Sequence, residues 1–86
     1  MRKFETLYLM PCIKIFDSIK IYIYRRDHNP PHFHAIYAEY EELILIEKLN
    51  TYSGFIPRTQ RKKVIKWAVK NRNYLMKIWN ENNPKN

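Results

Sequence analysis

The fold is organised around one stretch of nine residues, Asp27-His28-Asn29-Pro30-Pro31-His32-Phe33-His34-Ala35. It contains all three histidines of the chain, two adjacent prolines and an aspartate at its start. Proline lacks a backbone donor and restricts the residue before it, so the first half of this stretch is predicted to be a loop. Histidine titrates near neutral pH, binds metal ions and transfers protons. The stretch therefore marks both a break between sheet segments and a candidate functional site.

The residues before this stretch predict a β-hairpin. Residues 11–25 are expected to form its two strands, with a turn at Asp17-Ser18, because apolar residues alternate with polar and aromatic ones. The isoleucines of the second strand should face the core, and they are Ile19, Ile21 and Ile23. The alternate positions form a candidate binding surface that carries Lys20, Tyr22 and Tyr24.

Two more strands are predicted after the prolines, at about 32–38 and 42–48, with a turn between them. His32 and His34 should share one face of the first of these strands, since side chains alternate along a strand. Residues 50–56 contain a serine and the one glycine of the chain, and they are predicted to form a loop.

An amphipathic helix is predicted from Pro57 to about Asn80. Its apolar arc, which should pack on the sheet, contains Val64, Trp67, Ala68, Tyr74, Leu75, Ile78 and Trp79. The opposite arc is basic and contains Lys62, Lys63, Lys66, Lys70 and Lys77. Asn71-Arg72-Asn73 is a patch of weak helix formers, so the alternative is two helices that meet at a kink.

Together these elements predict an α+β fold, in which a four-stranded, mainly antiparallel sheet has one C-terminal amphipathic helix, or two across a kink, packed on one face. The length predicts a single domain at residues 10–80, with an N-terminal extension at 1–9 and a frayed tail at 81–86. The single cysteine, Cys12, is expected to be a small buried residue and agrees with a cytoplasmic protein. No apolar run approaches the roughly 20 residues of a membrane span, so no membrane association is expected.

The charge is concentrated in the last third of the chain. Residues 1–57 carry seven Lys/Arg against seven Asp/Glu, whereas residues 58–86 carry nine against one, which accounts for the net charge of +8. A basic segment of this kind indicates an anionic partner, either nucleic acid or an acidic protein. Lys62, Lys66 and Lys70 are candidate contacts to phosphates. The alternative is a solvated helix face.

The histidines admit a metal-binding interpretation. Two imidazoles on one strand face lie about 6.5–7 Å apart, which lets both His32 and His34 reach one ion. Asp27 or His28 would supply a further ligand from the loop, and three protein ligands with an open position are typical of catalytic zinc sites. The alternative is a purely structural role, in which the histidines are hydrogen-bonded anchors of the loop.

The same residues also fit chemistry without a metal. RNA cleavage through the 2′-hydroxyl needs an acid and a base, for which His28, His32 and His34 are the candidates. The phosphate would be held by cations and the unpaired bases by aromatic rings. The residues that would do this are Arg25, Arg26, Tyr22 and Tyr24.

Several motifs together resemble a family of small bacterial proteins, the domain of unknown function 4160. The resemblance covers about residues 10–80, and the matching pieces are Met10-Pro11, Asp27 to Ala35, Tyr40-Glu41, Pro57-Arg58 and Trp67-Ala68. Members often begin at the Met-Pro pair, which makes Met10 an alternative start. The family is similar to small toxin-like proteins, and its members are commonly encoded beside a second small domain of unknown function, family 2442, that is treated as an antitoxin.

The resemblance implies a type II toxin–antitoxin module. We therefore expect a toxin-like protein that binds RNA and has a small acidic antitoxin-like partner. In the enzymatic form of this hypothesis His32, His34 and His28 cleave the RNA without a metal cofactor. The alternative is a non-enzymatic binding module for an acidic partner protein, in which the histidine stretch is a structural or zinc-stabilised loop. An exposed edge strand would also permit a homodimer.

Overall fold

The computed structural model describes residues 12–84, so the predicted extension at 1–9 and the alternative start at Met10 lie outside the described residues. Within them the chain forms five strands followed by two helices. The strands are β1 (Cys12–Phe16), β2 (Ile19–Tyr22), β3 (His32–Tyr37), β4 (Tyr40–Leu45) and β5 (Thr51–Phe55), and the helices are α1 (Arg58–Lys70) and α2 (Arg72–Asn82).

The strands form one antiparallel sheet in the order β1-β2-β3-β4-β5, so each strand pairs with its neighbour in the chain. The predicted turn at Asp17 and Ser18 joins β1 to β2, and both residues have positive φ, at 50° and 63°. That pair of angles is what a tight hairpin turn needs to match the twist of its strands. The α+β class and the antiparallel sheet are confirmed.

The prediction of four strands is wrong, because the segment expected to be a loop at 50–56 contains β5. This strand pairs with β4, for example Phe55 with Glu41 and Ser53 with Leu43. All its side chains are exposed, so β5 has no alternation of buried and exposed positions from which a strand could be predicted. Gly54 has a φ of 73°, and a Cβ there would overlap the Glu41 carbonyl oxygen. The glycine that indicated a loop is therefore needed by the strand pair itself.

The C-terminal segment is two helices, as the kinked alternative predicted. Pro57 precedes α1, and the two helices meet at Asn71, whose φ and ψ of −124° and 22° are not helical. The Asn71 side chain donates a hydrogen bond to the Trp67 carbonyl oxygen at 2.8 Å, which satisfies one of the last carbonyls of α1. The second helix continues to Asn82, inside the segment that the sequence assigned to the tail.

Both helices pack on the sheet face that carries the isoleucines. Ile19, Ile21 and Ile23 are fully buried, as predicted. The helices contribute four buried residues to the same core, Val64, Ala68, Leu75 and Trp79. Cys12 begins β1 but is exposed, because β1 is an outermost strand of the sheet, so its predicted burial is wrong. Neither helix within the described residues has the length and apolar character needed to cross a membrane.

The charged side chain of Glu42 is fully buried on this core face. One of its carboxylate oxygens accepts hydrogen bonds from the Thr51 hydroxyl and from Arg61 Nε at 2.8 Å, and the other accepts from the Ile56 backbone N–H at 3.1 Å. A buried charge is tolerated only when it is paired and hydrogen-bonded. These bonds tie β4, β5 and α1 together around one carboxylate.

We therefore predict that Arg61→Met lowers the free energy of unfolding by about 1–3 kcal/mol, since it leaves a buried carboxylate without its cation. Urea denaturation monitored by tryptophan fluorescence measures this change. Lys62→Met is the matched control, because Lys62 is the next residue of α1 and is exposed. Equal stabilities of the two variants would show that the ion pair contributes nothing.

Candidate metal centre

Two histidines of β3 project from the same face of the sheet and are buried. His32 is 1% exposed and His34 is 8% exposed. His34 pairs in register with Tyr22 on one side and Leu43 on the other, so it lies in the middle of the sheet. The loop between β2 and β3 brings Asp27 over both rings. The alternation of side chains along β3 thus puts the two imidazoles together, and the loop adds a carboxylate.

Three ligand atoms converge in this cluster. Asp27 Oδ2 lies 3.0 Å from His32 Nε2 and 3.2 Å from His34 Nε2. The three atoms all lie within 4.8 Å of one another. Two ligands on a tetrahedral zinc ion, each about 2.0–2.1 Å from it, are separated by roughly 3.3 Å. The observed spacings between the aspartate and each histidine are close to that value.

In each ring, Nδ1 faces away from Asp27 and has a hydrogen-bond partner of its own. His32 Nδ1 lies 2.8 Å from the Pro30 carbonyl oxygen, and His34 Nδ1 lies 2.7 Å from Glu41 Oε2. A carbonyl and a carboxylate can only accept, so in both rings Nδ1 donates its proton outward. In both rings Nε2 faces Asp27, and His34 Nε2 lies in hydrogen-bonding geometry with Asp27 Oδ2 at 3.2 Å. This is the orientation that metal-bound histidines have, with the other nitrogen held by a carbonyl or carboxylate.

His32 Nε2 is buried and has no hydrogen-bond partner among residues 12–84, which the structure describes. It is only 3.0 Å from Asp27 Oδ2, but the carboxylate oxygen does not lie along the direction of the ring nitrogen's bond. The short distance is therefore a close approach and not a hydrogen bond. A buried nitrogen without a partner is unusual in folded proteins, so His32 Nε2 is a candidate ligand atom.

Asp27 is held in its ionised form. Burial raises the pKa of this carboxyl group, but the backbone N–H of His28 and the neighbouring His34 and His32 side chains outweigh it, so the pKa lies below its ordinary value. The His28 N–H bond to Asp27 Oδ1 is 2.8 Å long. Tyr24 packs its ring edge-on to His34, with centroids 4.3 Å apart. Burial, followed by the charge of Glu41, raises the pKa of Tyr24, so its phenol stays neutral.

The end of α2 holds the loop that carries Asp27. The Asn83 side chain accepts a hydrogen bond from the Asp27 backbone N–H and donates to the Tyr24 carbonyl oxygen at 3.2 Å. The Arg26 N–H also donates to the Asn82 carbonyl oxygen at 3.1 Å. Sequence reasoning missed Asn83 and Glu41, since no local pattern links Asn83 to a loop that is 56 residues away. Glu41 was identified only as part of a turn.

His28 is not part of the three-ligand cluster. Its side chain is 62% exposed, and its Nε2 lies 3.6 Å from Asp27 Oδ1. Its ring stacks on His32 with centroids 5.1 Å apart, and the ring of Tyr52 lies 6.0 Å away. His28 therefore forms the exposed rim of the cluster, beside the two buried histidines.

The other residues singled out in the sequence lie in three places. Tyr22 and Tyr24 adjoin His34, with their own ring centroids 5.8 Å apart. Arg25 and Arg26 are exposed in the loop, and Arg26 lines a cavity of about 720 Å³ between the loop and α2, next to Asp27. The predicted phosphate contacts on α1 are exposed but supply no atom to the cluster, and they are Lys62, Lys66 and Lys70.

A family model described as "Domain of unknown function (DUF4160)" matches residues 18–80. The match includes Asp27, both buried histidines and Glu41, and it stops before Asn83. No curated protein matches the chain, and no solved structure does.

The Asn83 contacts predict that Asn83→Ala loosens the loop. We expect the free energy of unfolding to fall by about 1–2 kcal/mol, because three part-buried hydrogen bonds of the Asn83 side chain are lost, with the Asp27 N–H and with the Tyr24 and Trp79 carbonyl oxygens. Amide hydrogen exchange at Asp27 should become faster, since its N–H loses its acceptor. Asn80→Ala is the control, as Asn80 is exposed on the same helix. Unchanged exchange at Asp27 would rule out this anchoring role.

Proposed function

The chain belongs to the DUF4160 family of domains of unknown function, and we propose that it binds one divalent transition-metal ion through Asp27, His32 and His34. The observation that carries this proposal is the convergence of three ligand atoms, Asp27 Oδ2, His32 Nε2 and His34 Nε2, within 4.8 Å of one another. Both Nδ1 atoms face outward, to groups that only accept. Among the described residues, His32 Nε2 is buried and has no hydrogen-bond partner.

Such an arrangement is stabilised by a positive charge among the three groups, which either a bound ion or a ring proton supplies. The Asp27 carboxylate oxygen lies 3.0–3.2 Å from both nitrogens and attracts that charge. A metal ion would also give His32 Nε2 a bonding partner. Protonation of the histidines is the competing solution, and it would leave His32 with a misaligned contact to Asp27.

The donor set suits zinc or another first-row transition-metal ion. Imidazole suits zinc, copper, iron and nickel, whereas magnesium and calcium prefer oxygen ligands. Two histidines and one carboxylate leave at least one position for water, as in catalytic zinc sites. An ion bound in this way supplies a Lewis acid and a water of lowered pKa. The exposed His28 and Tyr52 at the rim lie where a substrate would approach.

Titration calorimetry and cobalt(II) absorption spectra test the proposal on the full chain. We expect wild type to bind one ion, and His34→Ala and Asp27→Asn to lower the affinity by at least about 100-fold, since each removes a ligand. Glu41→Gln should lower the affinity by about 10–100-fold, because it weakens the orientation of His34.

His28→Ala is the matched control for this experiment. It removes an imidazole next to the cluster but no ligand, so its affinity should stay within about threefold of wild type. Circular dichroism of Asp27→Asn, which preserves the shape of the side chain, separates loss of a ligand from loss of folding. A folded wild type that binds no ion, or a His34→Ala variant that binds as well as wild type, would contradict the proposal.

A second candidate function is the RNA-directed role predicted from the sequence, as the toxin-like member of a toxin–antitoxin pair. It is supported by two exposed arginines beside the cluster and by the tyrosines that adjoin His34, namely Arg25, Arg26, Tyr22 and Tyr24. A general acid or base must come within hydrogen-bond reach of its substrate. The full burial of the His32 ring favours a metal-dependent over a metal-free mechanism.

Incubation of a mixed RNA pool with the purified chain, with and without EDTA, tests this second role. We expect cleavage that EDTA abolishes, that zinc restores and that is absent in His34→Ala. Cleavage that persists in EDTA and disappears in His34→Ala would instead support metal-free catalysis by the histidines. No cleavage by the folded, metal-loaded protein would exclude the ribonuclease and leave metal binding standing.

A further inference from the structure

A shallow groove lies between the first hairpin and α1, and it is separate from the cluster of Asp27, His32 and His34. Its volume is about 350 Å³, and none of the cluster residues lines it. The floor is made by two half-buried aromatic rings, Phe16 at the end of β1 and Trp67 on α1. Their ring centroids lie 5.8 Å apart at an angle of 45°, so the two rings form a continuous apolar surface at the edge of the core.

The rim of the groove is strongly basic. Four lysines line it, and all of them are exposed: Lys14, Lys63, Lys66 and Lys70. Asp17 is the one acidic residue among the lining residues, and it lies 3.4 Å from Lys63. Both partners of this pair are about half exposed, so the pair is weak. The groove therefore combines an apolar floor with an excess of positive charge around it.

We propose that this groove is the docking site for an acidic, amphipathic peptide segment of a partner protein. An apolar side chain of the segment would lie on Phe16 and Trp67, while carboxylates on its flanks would face the lysines. Complementary charges of this kind speed association and select the partner. The proposal is independent of the proposed metal site, since none of the residues that line the groove belongs to the cluster of Asp27, His32 and His34.

A protein segment fits the groove better than a nucleic acid does. Stacking of a base needs a free aromatic face, whereas these two rings are half-buried and tilted against each other. A phosphate backbone would be attracted by the lysines alone and would leave the apolar floor uncovered. An apolar side chain between carboxylates uses both features.

Fluorescence anisotropy on the full chain tests the proposal with three labelled probes. The first is a short peptide with leucines at helical spacing among glutamates. The second has the same glutamates with serine in place of leucine, and the third is an oligouridylate of the same charge. At about 0.15 M salt, where exposed charges are screened beyond about 8 Å, we expect the leucine peptide to bind at least about tenfold more tightly than either of the others.

The double variant Lys66→Ala/Lys70→Ala should weaken binding of the leucine peptide by at least about tenfold. Its matched control is Lys62→Ala/Lys77→Ala, which removes the same charge from exposed positions outside the groove and should change the affinity by less than about twofold. NMR shifts of the Trp67 indole and the Phe16 ring should move on addition of the leucine peptide.

Three results would overturn the proposal. The first is equal loss of binding in the two double variants, which would indicate attraction to net charge alone. The second is tighter binding of the oligouridylate, which would assign the surface to nucleic acid. The third is a shift map that leaves Trp67 and Phe16 unchanged.

Discussion

The contact of Asp27 with His32 and His34 is the interaction on which the rest of the site depends. It joins a loop, which has no regular structure of its own, to the central strand of the sheet. The contact places a carboxylate oxygen 3.0–3.2 Å from two imidazole nitrogens, of which His32 Nε2 has no hydrogen-bond partner among the described residues. Two further hydrogen bonds hold Asp27 in place: its carboxylate accepts from the His28 N–H, and its own N–H donates to the Asn83 side chain. A buried polar atom left without a partner in so constrained a cluster is typical of a functional site.

Two adjacent glutamates of β4 show how one strand serves the core and the site together. Glu42 points to the helices and is bound by Arg61, Thr51 and a backbone N–H. Glu41 points to the other face and orients the ring of His34. Because successive side chains of a strand point to opposite faces of the sheet, the two carboxylates have these separate roles. A shift of the β3–β4 register by one residue would exchange them, so the register that buries the core also determines the ligand geometry.

The sequence predicts most of what depends on local periodicity. Alternation identified the buried isoleucines, and it placed His32 and His34 on one face of a strand. Helical spacing identified the buried residues of both helices, but it also assigned Tyr74 to the apolar arc, and Tyr74 is exposed. The patch at 71–73 indicated the break between α1 and α2. The metal alternative already contained the three residues of the cluster. These results depend on the repeat of two residues in strands and of 3.6 residues in helices, and both repeats are visible in a single sequence.

The features that were missed depend on contacts between distant parts of the chain. β5 forms by main-chain pairing with β4, and its exposed side chains give no periodic signal. Asn83 reaches the loop only because α2 packs on the sheet and ends beside residues 24–27. The sequence also could not show whether His28 or Asp27 would supply the third ligand, since the path of the loop decides which of them turns inward.

The position of Asn83 has a consequence for the order in which the molecule is assembled. All five strands precede α2 in the chain, so during synthesis the sheet and both buried histidines leave the ribosome before the side chain that anchors Asp27. Until α2 docks, the loop has no acceptor for the Asp27 N–H, and the carboxylate is free to turn toward water. The cluster is thus completed late, by a residue that is not itself one of the three candidate ligands. A nascent sheet would not yet have all three of them in place.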